Sequence, residues 1–280
     1  MTTNRVAAAL VALVALAACT APPAQQPARS ADPKPASHPV NVGVGTDIPG
    51  MAVFDPKSHV RRGFDVDLYQ WLGNNTEPKF TPVEVDVLVP HRVDALVAGE
   101  VELVVHVFSI TDERRLRISF AGPYLVTQQG VMVRQGDKRI ETIDDLAGKT
   151  VCAQTDSTSY AQLNSGSLKG KVTTTTDDST RGCVDRLLRQ EVDAASTDEL
   201  VLRGFAQQTP GLEVLDLRFG TKERYGIGLP KGDRELCERM TEGIRTFITN
   251  GLWDQFFRTN FGDIPSETYR PDPYRLDPCT

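Results

Sequence analysis

The sequence predicts an α/β fold. Two observations carry this. Short β-branched or apolar runs alternate with runs of helical period, and the alternation recurs in two successive stretches of the chain. In the first stretch, Val40-Asn41-Val42-Gly43-Val44 reads as a strand. Phe64 to Leu72 reads as a helix, with Phe64, Leu68, Trp71 and Leu72 on one face. Phe80 to Val87 is a second strand. Pro90 opens a short helix at its first position, with Val93, Leu96 and Val97 inward and Gly99 at its end. Val101 to Val107 is apolar throughout, as a strand buried in a parallel sheet would be.

The second stretch repeats this grammar. Thr142 with Asp145 three residues on predicts a capping box over a short helix that stops at Gly148. Thr150 to Gln154 is a strand, Ser157 to Leu163 a helix, and Val172 to Thr176 a β-branched strand. Cys183, Leu187 and Leu188 mark the inner face of the next helix. Asp193 to Thr197 is a strand leading into a helix from Asp198 or Glu199. Gly226 to Pro230 is a strand, Asp233 to Asn250 a long amphipathic helix, and Leu252 to Phe261 a last helix after Gly251. Residues 262–280 hold four prolines and no periodicity, and are expected to be ordered by contact.

The 280 residues carry 31 basic and 37 acidic side chains, a formal charge of −6, with 40% hydrophobic residues. That composition supports a real core and argues against both disorder and a nucleic-acid partner. One long apolar run occurs. Val6 to Ala18 gives thirteen apolar residues after Arg5, too short to span a bilayer comfortably at roughly 20 residues. Residues 1–18 read as a secretory signal. Leu16-Ala17-Ala18-Cys19 resembles a bacterial lipobox, which implies a lipidated Cys19 as the new N-terminus; ordinary cleavage or an uncleaved anchor are the alternatives. Residues 19–39 then form a tether rich in proline, alanine and glutamine, with a reach of about 60 Å as polyproline II.

Five cysteines are an odd count. Setting Cys19 aside leaves Cys152, Cys183, Cys237 and Cys279, which allow three pairings outside the cytoplasm. No C-x-x-C occurs and the four histidines are scattered, so no metal and no cofactor is expected. Cys279 ends the proline-rich tail and Cys237 lies on the long helix, so this pair would staple the tail down.

Several segments resemble the family 3 solute-binding proteins of amino-acid ABC importers. They are Gly63-Phe64-Asp65-Val66-Asp67-Leu68, Ser109-Ile110-Thr111-Asp112-Glu113-Arg114, Phe120-Ala121-Gly122-Pro123-Tyr124, Asp193-Ala194 with Thr197-Asp198, and Tyr225-Gly226-Ile227-Gly228-Leu229-Pro230-Lys231-Gly232. Trp253 and Asn260-Phe261-Gly262 complete the set, in order, over roughly Val40 to Gly262. Cys152, Cys183 and Cys237 resemble the glutamate-binding branch found in high-GC Gram-positive bacteria, which implies the pair Cys152–Cys183. The resemblance implies a two-lobed, type II periplasmic-binding-protein-like fold with two hinge strands. Lobe 1 would be 40–125 plus 225–280, and lobe 2 would be 126–224.

A buried free amino acid needs a cation, an anion and fixed dipoles around it. Arg114 is the choice for its carboxylate, through a bidentate fork. Asp198 is the choice for its ammonium, with a helix N-cap as the alternative. Ser109 can serve either end. Ser157 and Thr158 lie at a helix start, where free N–H groups favour an anion. Asp47 and Gln154 are expected to meet the ligand side chain. His106 and Phe108 are further candidate readers: His106 could add positive charge, with a buried neutral histidine as the alternative, and Phe108 could pack the ligand's methylenes, with a core role as the alternative. The glutamate branch tends to carry a lysine at the position of Gly45 and a glutamine at that of Ile48. Asp65 and Asp67 read as helix-start acids favoured by the dipole.

The resemblance implies a lipid-anchored, monomeric binding protein. It would capture glutamate, glutamine, aspartate or asparagine and deliver it to an ABC permease. A dehydratase-like enzyme on the same scaffold, or a sensor for a membrane regulator, are the alternatives. The enzyme would need an acid or base in the cleft, for which only His106 and Asp47 stand as weak candidates.

Overall fold

Two long antiparallel strands run through the middle of the main sheet and set its plan. The computed structural model describes residues 1–2 and 38–279. The expected signal, Cys19 and nearly all of the tether therefore lie outside the described residues. In order the chain forms β1 (His38–Val44), β2 (Asp47–Ile48), β3 (Ala52–Asp55), β4 (Val60–Arg62), α1 (Phe64–Asn75), β5 (Phe80–Asp86), α2 (Arg92–Val97), β6 (Leu103–Val105), α3 (Asp112–Arg115) and β7 (Ser119–Arg134). It continues through β8 (Thr150–Gln154), α4 (Thr158–Leu163), β9 (Thr173–Asp177), α5 (Thr180–Leu188), β10 (Ala194–Asp198), α6 (Glu199–Gln208), β11 (Leu212–Val214), β12 (Phe219–Leu229), α7 (Arg234–Thr249) and α8 (Leu252–Phe261).

Among the described residues, one mixed sheet has the order β5-β1-β6-β12-β7-β10-β8-β9, with β11 also on β7. β5, β1 and β6 form a parallel wing. β10, β8 and β9 form another. The antiparallel pair β7 and β12 joins them. The expected lobe boundaries, 125/126 and 224/225, fall inside these two strands. A small sheet, β2-β3-β4, lies before α1.

The sequence hides part of this plan. Gly122, Pro123 and Gly130 interrupt β7, and such residues normally demote a strand. β12 begins seven residues before the expected Gly226, because its exposed first half is polar. β6 ends at Val105 rather than Val107, since Val107 turns to φ +39°, outside the strand region. Val97 and Leu188 are exposed at 57% and 39%, so the inner faces of α2 and α5 are carried instead by Ala95 and Leu96, and by Cys183, Val184 and Leu187. His38 and Pro39, expected in the tether, pair with Phe80 and Thr81. The Thr142–Asp145 capping box is present.

Helices α1, α7 and α8 share an aromatic core. Phe64 meets Trp253 edge-on at 5.4 Å and Phe247 at 6.2 Å. The Trp253 indole donates to the Tyr124 carbonyl at 2.7 Å, so its buried N–H is satisfied. Gly63 admits no other residue: its φ is +141°, and a Cβ would lie 2.0 Å from the Met51 carbonyl oxygen. Both disulfides form, Cys152–Cys183 and Cys237–Cys279. The tail is held further by Asp277, which pairs with Arg115 and Arg224.

Candidate functional site

The expected site residues gather where parallel strands end. Asp198 ends β10 and Gln154 ends β8, while Asp47 follows β1 and His106 to Ser109 follow β6. Carboxyl ends of parallel strands are the usual ligand edge of an α/β sheet. Three adjoining hollows line it. The first, about 20 Å³, is bounded by Arg92, Ser109, Gln154, Ser157, Thr158 and Asp198. The second, about 210 Å³, contains Asp47, His106 and again Gln154. The third, about 520 Å³, contains Phe108, Arg114 and again Ser157 and Thr158. Val89 borders all three.

Arg114 is aimed by local bonds. The Thr111 hydroxyl caps α3 by accepting from the Arg114 amide at 3.2 Å. The guanidinium donates to the Ser109 carbonyl at 2.7 Å and to the Asp156 carbonyl at 3.4 Å, thereby linking residues after β6 to residues after β8. It also lies 5.0 Å from the centre of the Phe108 ring. Burial lowers its pKa, and the nearby Glu223 and Asp198 carboxylates oppose that.

Asp198 occupies the N-cap position of α6 but makes no capping bond. Instead Gln129 donates to one of its oxygens at 2.8 Å and the Tyr225 hydroxyl to the other. The same Gln129 amide donates to Glu223 at 2.8 Å. Burial, then the Glu223 charge, push the Asp198 pKa well above the usual carboxylate range. This is a buried carboxyl with spare acceptor capacity, and a cation beside it would favour its charged form.

Ser157 spends its hydroxyl on the fold. It donates to the Gln154 carbonyl at 2.6 Å and accepts from the Tyr160 amide at 3.1 Å. Gln154 is fixed by the Asp178 carbonyl and the Thr180 hydroxyl, at 2.8 and 3.0 Å, with one amide hydrogen and one lone pair left over. Asp47 has its pKa raised by burial, an effect opposed by Arg181. His106 supplies no positive charge here. Burial, reinforced by the Arg92 charge, lowers its pKa to about 3. Phe108 lies between guanidiniums and meets Phe120 at 4.9 Å, apart from the Asp47 hollow.

Arg92 was not legible as a site residue, because an arginine at the start of a short surface helix normally faces solvent. Here it is 3% exposed. It donates to the carbonyls of Val89, His106 and Val107, and lies 4.4 Å from the Phe108 ring centre. Two cations thus pack on one ring, and each makes the cleft more attractive to an anion. Gln129 and Tyr225, which donate to Asp198, and Glu223, which shares the Gln129 amide, were equally silent. Asp65 and Asp67 do sit in the first turn of α1. Asp65 goes further, by accepting from Tyr124 and from the Val107 amide. Among the described residues, no group of three His, Cys, Asp or Glu is placed to hold a metal ion.

Comparison with known proteins gives a consistent result. The glutamate-binding protein GluB of Corynebacterium efficiens is 32% identical over 243 residues, covering 80% of this chain and 79% of that protein. The glutamine-binding protein of Geobacillus stearothermophilus is 29% identical over 202 residues, covering 71% and 76%. Among solved structures, an ancestral arginine-binding protein bound to arginine superposes with a TM-score of 0.73 at 26% identity, covering 80% of this chain and 98% of that one. The fold is that of the type II periplasmic amino-acid-binding proteins, and these relatives are named as binding proteins, not enzymes. A sequence model of the bacterial extracellular solute-binding proteins, family 3, matches residues 40–263, and the chain belongs to that family.

Proposed function

We propose that this protein captures a free amino acid with a polar side chain and delivers it to an ABC permease. One observation carries the reading. A half-buried cation, Arg114, and a buried acid, Asp198, border adjoining hollows that share Val89, Ser157 and Thr158. A zwitterion fits that arrangement, with its carboxylate at Arg114, Ser109 and Thr158 and its ammonium at Asp198. The side chain then points toward Asp47 and Gln154. The names of the glutamate- and glutamine-binding relatives support glutamate, glutamine, aspartate or asparagine as the ligand set.

In this reading residues 40–125 with 225–280 and residues 126–224 are two lobes that close by bending in β7 and β12. The protein works as a monomer, tethered to the membrane by a lipidated Cys19. Replacing Cys19 with alanine should release the protein from the membrane fraction; retention there would remove the lipid assignment.

The binding reading is tested by thermal shift. Protein stripped of co-purified ligand is scanned against the twenty amino acids. A ligand at about 100 times its Kd adds about 2.7 kcal/mol, which raises Tm by several degrees. Arg114→Ala should lose that rise while the ligand-free Tm holds. A flat panel for the unaltered protein would sink the amino-acid reading.

A further inference from the structure

The hollow at the side-chain end of the cleft is acidic. Asp47, Asp86 and Asp178 line it, beside His106, Gln154 and Ser179, and no lysine or arginine does. Two cations act from behind the wall. Arg61 is 7% exposed and donates to Glu84, Asp86 and the Gly45 carbonyl, so two acids share its charge. Arg181 acts on Asp47 but packs over Phe205, 5.0 Å from the ring centre.

A second feature points to a ligand. His106 is 4% exposed, borders this hollow, and neither of its ring nitrogens makes a hydrogen bond of good geometry. The Val87 backbone gives one ring nitrogen a poorly aligned bond and the other has none, and an under-satisfied buried imidazole is costly and asks for a partner. It is held neutral, so it presents one acceptor and one donor, and no charge. Its ring also fills the space beside Gly45, where a Cβ would stand 2.5 Å from Nε2. The carboxylates are not arranged to share a metal ion. Gln154 adds one free amide hydrogen and one free lone pair. The wall as a whole offers far more acceptors than donors.

A ligand carboxylate placed here would meet the half-buried Asp47, whose charge Arg181 only partly offsets, and the exposed Asp178, with no lining cation. A nitrogen side chain would instead donate to Asp47, Asp178 and the acceptor nitrogen of His106. We infer that this end of the cleft selects a hydrogen-bond-donating side chain without negative charge, an amide, ammonium or guanidinium, and rejects a carboxylate. This rests on the amino-acid reading above. It narrows that ligand set to its amides and opens it to cationic amino acids.

Glutamine and glutamate are the natural test, because they share shape and differ in charge. Calorimetric titration at pH 7 should find glutamine bound at least 30-fold tighter than glutamate, and asparagine tighter than aspartate. Arginine and lysine are parallel arms. Tighter binding than glutamine in those arms would show that the acids act as charges, and weaker binding that they act as neutral-donor acceptors; both outcomes support the inference. Glutamate bound as tightly as glutamine, or tighter, would overturn it while leaving the amino-acid reading intact. Binding of no amino acid would overturn both. Asp47→Asn and Asp178→Asn should each shrink the glutamine-to-glutamate ratio about tenfold. An unchanged ratio in two folded variants would remove the assignment to this hollow.

Discussion

The buried carboxylate of Asp65 accepts the backbone amide of Val107 at 3.0 Å, and Val107 stands at φ +39°. That conformation is costly for a β-branched residue. It is over-determined from two sides: Asp65 takes the Val107 amide, and Arg92 donates to the Val107 carbonyl at 3.0 Å. The kink ends β6 and turns Phe108 and Ser109 toward the ligand edge. A helix-start acid on α1 thereby sets the geometry of the loop that carries Phe108 and Ser109.

Asp65 makes stability depend on pH. Burial raises its pKa to about 7 from 3.8, partly offset by Tyr124 and the Val107 amide. The folded state therefore holds a proton that the unfolded state has released between those values. The contribution is full below about pH 4 and is lost as pH rises toward 7, amounting to about 4 kcal/mol at 1.36 kcal/mol per unit. Denaturant titrations of the protein and of Asp65→Asn should show a stability difference that narrows by that order across the window. A constant offset would assign Asp65 no titration.

Arg92 is expected to be structural before it is electrostatic. It serves three buried carbonyls, and Arg92→Met would leave them without donors. The loss should be about 2–5 kcal/mol, since buried unsatisfied groups cost about 1–3 kcal/mol each and act non-additively. Arg92→Lys keeps the charge but loses the fork, and should recover less than half of it. Equal stability of all three proteins would show that water replaces the guanidinium.

Local signals were legible and distant ones were not. The Thr142 capping box, the Ser157 cap and the exact span of α8 follow from near neighbours in sequence. The placement of Arg114 and Asp198 beside strand ends was readable from the motifs that contain them. Arg92 apart from its bond to Val89, and Gln129 and Glu223 altogether, act through partners 14 to 94 residues away, and nothing in their own neighbourhoods distinguishes them from surface residues. β7 was hidden because a strand shared by both wings tolerates Gly122 and Pro123 where an isolated strand would not.

The disulfides should differ in what they protect. Cys237–Cys279 closes a loop of 42 residues and Cys152–Cys183 one of 31, so chain entropy alone gives each about 4 kcal/mol. Only the first holds the tail, together with Asp277 and the Tyr269 hydroxyl, which donates to Glu199 at 2.7 Å. Paired replacement of Cys237 and Cys279 by alanine should expose residues 262–279 to limited proteolysis before global unfolding. Replacing Cys152 and Cys183 should lower Tm without early tail cleavage. Identical digestion patterns would show that Asp277 and Tyr269 suffice.

Ligand affinity should fall as pH falls, with Asp198 as the cause. Its pKa is raised by burial and by Glu223, against the Tyr225 hydroxyl, Arg92 and Arg114, which lower it. The protonated acid cannot pair with an ammonium, so binding must first displace the proton. Below the ligand-free pKa of Asp198, Kd should therefore rise by up to about tenfold per pH unit. Glu223→Gln removes the neighbouring charge and should move that transition to lower pH. The position of the transition is the readout, because Glu223 also attracts the ammonium and its loss can shift the plateau. A transition that stays in place in Glu223→Gln would mean that another group controls the pH dependence.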